Sequence, residues 1–229
     1  MPELPGGRPG NIPLAPAPWR LKGQAYIITL RLPREQLERD GFIPAGLRLA
    51  SRSGIAYAMF VDYSQSDVGP YHELLFVPGK LWFGEERFPS VSRIFVSTWP
   101  SVVNGENNWG IPKDRCDFSV SYGEDGVDRI ALTAGDGTRF AELELESWGL
   151  NLPGPGQLVP ERFRTLAQLK DGKRYTYAPR FKGWFKLAKL RRWRFDSRYF
   201  PDLARGTVVS AVKLTSFDLT FPIARVTPL

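Results

Sequence analysis

Two segments of this 229-residue chain carry side chains whose types and spacing could do chemistry. In Tyr71-His72-Glu73-Leu74-Leu75-Phe76-Val77 both alternating faces are largely apolar, so the segment reads as a strand covered on both sides, and Glu73 breaks the pattern. By period two it shares a face with Tyr71, Leu75 and Val77, and a carboxylate there must be paired, protonated or solvated in a cavity. Glu73 is then either half of a structural ion pair or a functional acid or base. Further on, Val102 to Lys113 packs turn residues, the pair Asn107-Asn108 and Trp109 ahead of Pro112-Lys113. The proline restricts the backbone and sets Lys113 at a fixed bend, where a lysine taken alone is a solvated surface residue. The remaining inventory excludes more than it offers. One cysteine, Cys116, and one histidine, His72, cannot make an internal disulfide, a His/Cys metal cage or more than one imidazole of a catalytic set. No GxSxG or GxxxxGK[ST] string occurs, so hydrolase and nucleotide-binding chemistry lack their signatures and no metal site is expected.

The elements that must hold these residues are mostly strands. Ala25 to Leu30, Ile55 to Asp62, Tyr71 to Val77, Arg93 to Thr98, Phe118 to Tyr122, Val127 to Thr133, Thr138 to Glu146, Leu190 to Asp196 and Thr207 to Phe221 are rich in β-branched and aromatic residues, and most are separated by Gly, Pro, Asn or Asp turns. Helices are expected over Pro33–Asp40, closed by Gly41, and over Pro160–Leu169. Residues 1–18, rich in proline and glycine, read as an extended N-terminal arm, and 19–229 as one domain despite the Pro153-Gly154-Pro155-Gly156 linker. The expected fold is mainly β (α+β), an antiparallel barrel or sandwich with a few peripheral helices, because so many strands must close or pair their edges. With 42% apolar and 24% charged residues, no apolar run near 18 residues and no basic-then-apolar start, the expectation is a cytoplasmic protein with no membrane span.

The net charge of +7 is concentrated. Lys170 to Arg198 holds eleven basic residues against Asp171 and Asp196, interleaved with Tyr175, Tyr177, Phe181, Trp184, Phe185, Trp193 and Phe195. That composition suits a groove for nucleic acid or another polyanion. It equally suits a strand whose aromatics face inward while its arginines meet water or acids elsewhere, and the second reading is preferred, so nucleic acid is not an expected partner.

At the two chemical segments the chain resembles the acetoacetate decarboxylase family. That family has a Tyr-x-Glu strand and, roughly thirty residues later, a glycine whose eighth following residue is the Schiff-base lysine of a Pro-Lys pair. Pro70-Tyr71-His72-Glu73 matches the first, Gly105 to Pro112-Lys113 matches the second, and Phe95, Val96 and Pro100 fall where the family has an apolar strand and a proline. A weaker likeness runs from about Gln24 to Phe221. The resemblance implies a conical antiparallel β-barrel with the lysine near its inner pocket, and commonly a symmetric homo-oligomer. It also implies a cofactor-independent Schiff-base lyase acting on a small oxo-acid or oxo-compound, by decarboxylation or by aldol and dehydration chemistry. Lys113 would be the nucleophile and Glu73 the positioning or proton-shuttling carboxylate, while Tyr71, Phe95 and Trp109 would form the apolar wall. The rival reading is a binding module, the same barrel holding an apolar or anionic ligand without turnover or docking on a polyanion through residues 170–198.

Three positions depart from the pattern. Gly105 is followed by Glu106-Asn107 rather than Arg-Glu, Lys113 by Asp114 rather than a second lysine, and Gln24 stands where the family has an active-site arginine. A neutral amide reads a carboxylate more weakly than a guanidinium does, and an acid beside Lys113 favours the protonated amine. Both changes make acetoacetate itself an expected poor substrate.

Overall fold

Alternation of apolar and small or polar residues builds most of the strand residues into one sheet. The computed structural model describes residues 8–50, 53–154, 156 and 159–229. Its strands are β1 (Trp19–Arg31), β2 (Arg48–Leu49), β3 (Ile55–Gln65), β4 (Tyr71–Val77), β5 (Lys80–Phe83), β6 (Glu86–Pro89), β7 (Arg93–Val96), β8 (Lys113–Arg115), β9 (Asp117–Tyr122) and β10 (Val127–Thr133). They continue with β11 (Arg139–Pro153), β12 (Leu166–Lys170), β13 (Lys173–Tyr177), β14 (Arg180–Phe195), β15 (Thr207–Phe221) and β16 (Arg225–Pro228). The helices are α1 (Arg34–Asp40), α2 (Trp99–Trp109) and α3 (Glu161–Arg164).

Ten strands form a nearly closed barrel in the order β8-β7-β4-β3-β1-β15-β14-β11-β10-β9, with β12-β13-β16 and β2-β5-β6 as small accessory sheets. Every pairing in the large sheet is antiparallel except β7 with β8. Its two edge strands, β8 and β9, are consecutive in the chain and meet at Cys116, whose N–H donates to the Val96 carbonyl at 3.0 Å. Residues after the Pro153 linker supply β14 and β15 to the middle of the sheet, so both halves of the chain share it.

Period-two alternation sorts the apolar residues onto two faces. On one, β9 to β11 curl against β1, β3 and β4, burying Tyr26, Ile28, Phe60, Phe76, Leu132 and Leu143. Polar contacts seal that enclosure: Tyr122 donates to Asp62, and Asp128 on β10 accepts from Tyr26 on β1 at 2.7 Å and from Lys213 on β15 at 2.5 Å. The opposite face buries Leu21, Val61, Tyr63, Tyr71, Val77 and Ile94, and is covered by Val102 and Trp109 of α2 and Tyr177 of β13.

Three expectations are corrected. The helix over Pro160–Leu169 stops at Arg164. Leu166–Lys170 is a strand that pairs with β13 around Asp171-Gly172, both at positive φ, a two-residue hairpin turn that this dipeptide favours. The stretch read as turns before Lys113 is helix α2, opened with Pro100 in its first turn and closed by Gly110 in the left-handed conformation. Its glycine and three asparagines are poor helix formers, and burial of Ser101, Val102, Val103, Asn104, Gly105 and Trp109 overrides that propensity. In addition, β11 and β14 run well past the expected spans, to Pro153 and back to Arg180. Among the described residues no helix is long and apolar enough to cross a membrane.

The Tyr26–Asp128–Lys213 cluster yields a stability test. Asp128→Ala leaves a largely buried lysine and a buried phenol without their acceptor, and is expected to lower the unfolding free energy by about 3–5 kcal/mol, read as a lower urea midpoint.

Candidate active site

Pro112 ends the turn after α2 and delivers Lys113 as the first residue of β8, its N–H donating to Ile111 at 2.9 Å and its backbone in register with Ile94 of β7. The side chain runs inward, contrary to the expectation for a lone lysine after a turn. Its Nζ donates to Glu73 Oε2 at 2.9 Å and to Ser101 Oγ at 3.0 Å, and the Lys113 and Glu73 side chains are only 4% and 6% exposed. The structural and functional readings of Glu73 thus converge on one partner. A buried pair of this kind is held by mutual attraction, because either charge alone among apolar groups is strongly unfavourable.

The helix makes room for it. A Cβ on Gly105 would fall 2.8 Å from Lys113 Cε and 2.9 Å from Cδ, so only glycine lets the lysine pass. Ser101 and Gly105 are four residues apart and therefore share the face of α2 turned toward the amine. Ser101 was not among the expected site residues, and this i, i+4 relation becomes visible only once the segment is read as a helix. Tyr63, also unanticipated, donates to Glu73 Oε1 at 3.4 Å, and the Tyr71 ring lies 5.2 Å from Nζ. Burial first, then the Glu73 charge, holds both phenols well above their ordinary pKa, so they remain neutral hydroxyls.

The pair opens on a cavity of about 300 Å³ whose wall is otherwise almost wholly apolar. Strand β1 contributes Leu21, Ala25 and Ile27, β4 contributes Tyr71, Leu75 and Val77, and β15 contributes Leu214, Phe217, Leu219 and Phe221. Trp109 closes one side, packed edge-on against Trp19 at 4.9 Å, with its indole donating to Pro222 at 2.7 Å. The charged lining residues are Glu73, Lys113 and Arg164.

Of the expected site residues, the structure brings Lys113, Glu73, Tyr71 and Trp109 together and leaves two elsewhere. Phe95 lies one residue out of phase with Ile94, which lines the cavity. It faces the enclosed side, packed on Phe140 at 4.6 Å and under the Arg93 guanidinium at 4.2 Å. Gln24 likewise turns to the enclosed side, where its amide donates to Asp62 at 3.3 Å. The lysine itself is on the covered face of the sheet and not within the enclosure. Asp114 turns away from the cavity to Arg93, which also donates to the Tyr199 carbonyl at 2.7 Å. Asn107 is exposed, while Asn104 and Asn108 hold the N-terminal segment: Asn104 accepts from Ala15 N–H at 2.7 Å, and Asn108 donates to the Ala15 carbonyl at 2.8 Å.

An amine hydrogen-bonded to a carboxylate in an apolar cavity can pass its proton across and attack a carbonyl carbon, and the carboxylate, once it has taken up a proton again, can donate it nearby.

A family model described as acetoacetate decarboxylase (ADC) matches residues 2–218. Among solved structures, the acetoacetate decarboxylase of Legionella pneumophila superposes with a TM-score of 0.68 at 16% identity, covering 98% of this chain and 92% of that one. The enduracididine biosynthesis enzyme MppR complexed with pyruvate gives 0.64 at 17% identity, covering 93% and 91%. An acetoacetate decarboxylase-like enzyme from Sphingomonas wittichii gives 0.64 at 15%, covering 93% of each chain. These likenesses establish a shared fold. A sequence search of curated proteins returns no match.

The buried pair is testable without a substrate. Lys113→Met strands Glu73 among apolar groups and should lower stability by about 3–5 kcal/mol, whereas Lys113→Met combined with Glu73→Leu should recover most of that loss in urea unfolding.

Proposed function

Because the chain belongs to the acetoacetate decarboxylase family, we propose that it is a Schiff-base-forming enzyme in which Lys113 attacks the carbonyl of an oxo-acid or oxo-compound. One observation carries this reading: the lysine of the Pro112-Lys113 pair is buried against the glutamate of the Tyr71-His72-Glu73 strand, at the head of an apolar cavity.

In this mechanism Glu73 takes a proton from Lys113 across the 2.9 Å hydrogen bond, freeing the amine's lone pair. Nζ adds to the carbonyl carbon, the carbonyl oxygen leaves as water with two protons from the original ammonium, one passed directly from nitrogen and one relayed by Glu73, and the protonated imine becomes an electron sink. That sink stabilises the electron pair left when a bond at the neighbouring carbon breaks. Glu73, by then a carboxylate again, takes up a proton from solvent and delivers it to that carbon, while Ser101 keeps Nζ in line and Tyr63 steadies the carboxylate. The scheme uses neither metal nor organic cofactor.

Decarboxylation and aldol-type chemistry both pass through such an imine. The MppR structure complexed with the condensation product of pyruvate and imidazole 4-carboxaldehyde supports keeping the second open for this chain. Slow turnover of acetoacetate remains part of the reading, on a new ground: with Gln24 and Asp114 outside the cavity, what weakens carboxylate binding beside the lysine is the apolar contribution of β1, Leu21, Ala25 and Ile27. A homo-oligomeric state and a cytoplasmic location complete it.

Borohydride reduction of the protein with pyruvate, acetopyruvate or acetoacetate is expected to add at Lys113 the mass of the bound oxo-compound less one oxygen atom, since water leaves and two hydrogens are gained, and no mass in Lys113→Met. Glu73→Gln, and Gly105→Ala through displacement of the amine, should each slow trapping by about a hundredfold. Absence of an adduct with every oxo-compound would overturn the enzyme in favour of the binding module.

A further inference from the structure

The Lys113–Glu73 pair is neutral as a unit, and conversion of the ammonium to a protonated imine leaves it so. A substrate carboxylate therefore brings one uncompensated negative charge into a wall of aliphatic and aromatic side chains, where an unpaired charge is strongly disfavoured. Arg164 supplies the other cation in the lining. Its Nε donates to the Val159 carbonyl at 3.2 Å and its Nη1 to those of Ala178 and Pro179, both at 2.8 Å, so the guanidinium is fixed in place. Among the described residues the acid nearest its Nη2 is Glu161, at 4.0 Å and beyond hydrogen-bond range, and that carboxylate is itself largely exposed.

Arg164 also lies between the cavity and the surface. It lines both the apolar cavity and the adjoining surface depression, which carries Arg180 and Lys182 against Asp218. This basic depression would draw anions toward Arg164. The size of the cavity fixes the rest of the ligand. An apolar cavity of about 150 Å³ holds one benzene, so about 300 Å³ suits a body of roughly ten to twelve heavy atoms. Pyruvate or acetoacetate would leave most of the apolar wall uncovered.

Building on the Schiff-base reading, we propose that the substrate is an extended oxo-acid with an apolar body, its carbonyl carbon at Lys113 and its carboxylate anchored by Arg164. The carboxylate is then a handle several bonds from the reacting carbonyl, and Arg164 is a specificity-determining residue.

The test uses three eight-carbon probes with borohydride trapping: 7-oxooctanoate, whose carbonyl and carboxylate lie at opposite ends; 2-oxooctanoate, in which they are adjacent; and 2-octanone, which has no carboxylate. In the unmodified protein 7-oxooctanoate is expected to half-saturate labelling of Lys113 at a concentration at least about tenfold lower than any of 2-oxooctanoate, 2-octanone and pyruvate, the usual scale of a charge-assisted hydrogen bond. Arg164→Met should erase that advantage while 2-octanone still labels. If the variant labels with neither, the comparison among probes in the unmodified protein decides. Equal labelling by 7-oxooctanoate and 2-octanone, or preference for pyruvate, would overturn the proposal while leaving the Schiff-base reading intact. No adduct with any probe would sink both.

Discussion

The ion pair between Lys113 and Glu73 is the constraint around which the site is arranged. Neither charge is tolerable alone where it lies, so the sheet must deliver a glutamate from β4 and a lysine from β8 to within a hydrogen bond of each other. Strand β7 stands between those two strands and fixes their separation, and its pairing with β8 is the single parallel one in the large sheet. A crossover is required to join parallel neighbours, and α2 provides it. The crossover helix then covers the lysine it has just positioned, with a serine to hold the amine and a glycine to admit its stem.

The two faces of the sheet divide the labour. The enclosed face is packed with aromatic rings and sealed by Asp62 and Asp128, and the other carries the cavity under α2 and the small sheet of β12, β13 and β16. Between Arg93 and Val96 the alternation is strict enough that adjacent residues belong to different cores: Ile94 meets the cavity and Phe95 the enclosure. Much of the basic segment is engaged by acids, on neighbouring strands, on an accessory sheet or close by in the chain. Lys189 and Arg191 pair with Glu146, Arg194 with Glu142, Arg198 with Asp196 and Arg174 with Glu86, an arrangement that needs no polyanion to account for the composition.

The legibility of the chain followed its periodicity. Strands with sustained β-branched and aromatic content, such as Tyr71–Val77, Val127–Thr133 and Thr207–Phe221, are found over the expected residues. The two-residue strand β2 exists through its pairing with β5, remote in sequence, and β5 and β6 are four-residue strands of a short hairpin, too brief to leave much local signal. Helix α2 was hidden because its asparagines and glycine serve tertiary ends, holding the N-terminal segment and clearing space for Lys113. For the same reason Ser101 escaped notice. Gln24 and Phe95 were misplaced by alignment to motifs that give spacing along the chain and not direction across the sheet; the register shift between Gly23 and Ala25 makes direction in β1 harder still to read.

The pairing of Trp19 with Phe221 gives the fold a schedule as well as a shape. During synthesis β1 can join β3 early, but its other edge waits for β15, separated from it in the chain by the sheet's other strands. Until then that edge offers unpaired backbone groups and the apolar side chains of Leu21, Ala25 and Ile27, which is the condition that invites misassociation and chaperone attention. The cavity is delayed with it, since Leu214, Phe217, Leu219 and Phe221 form part of its wall. A ribosome-bound chain thus holds its lysine and glutamate well before it has a chamber to put them in.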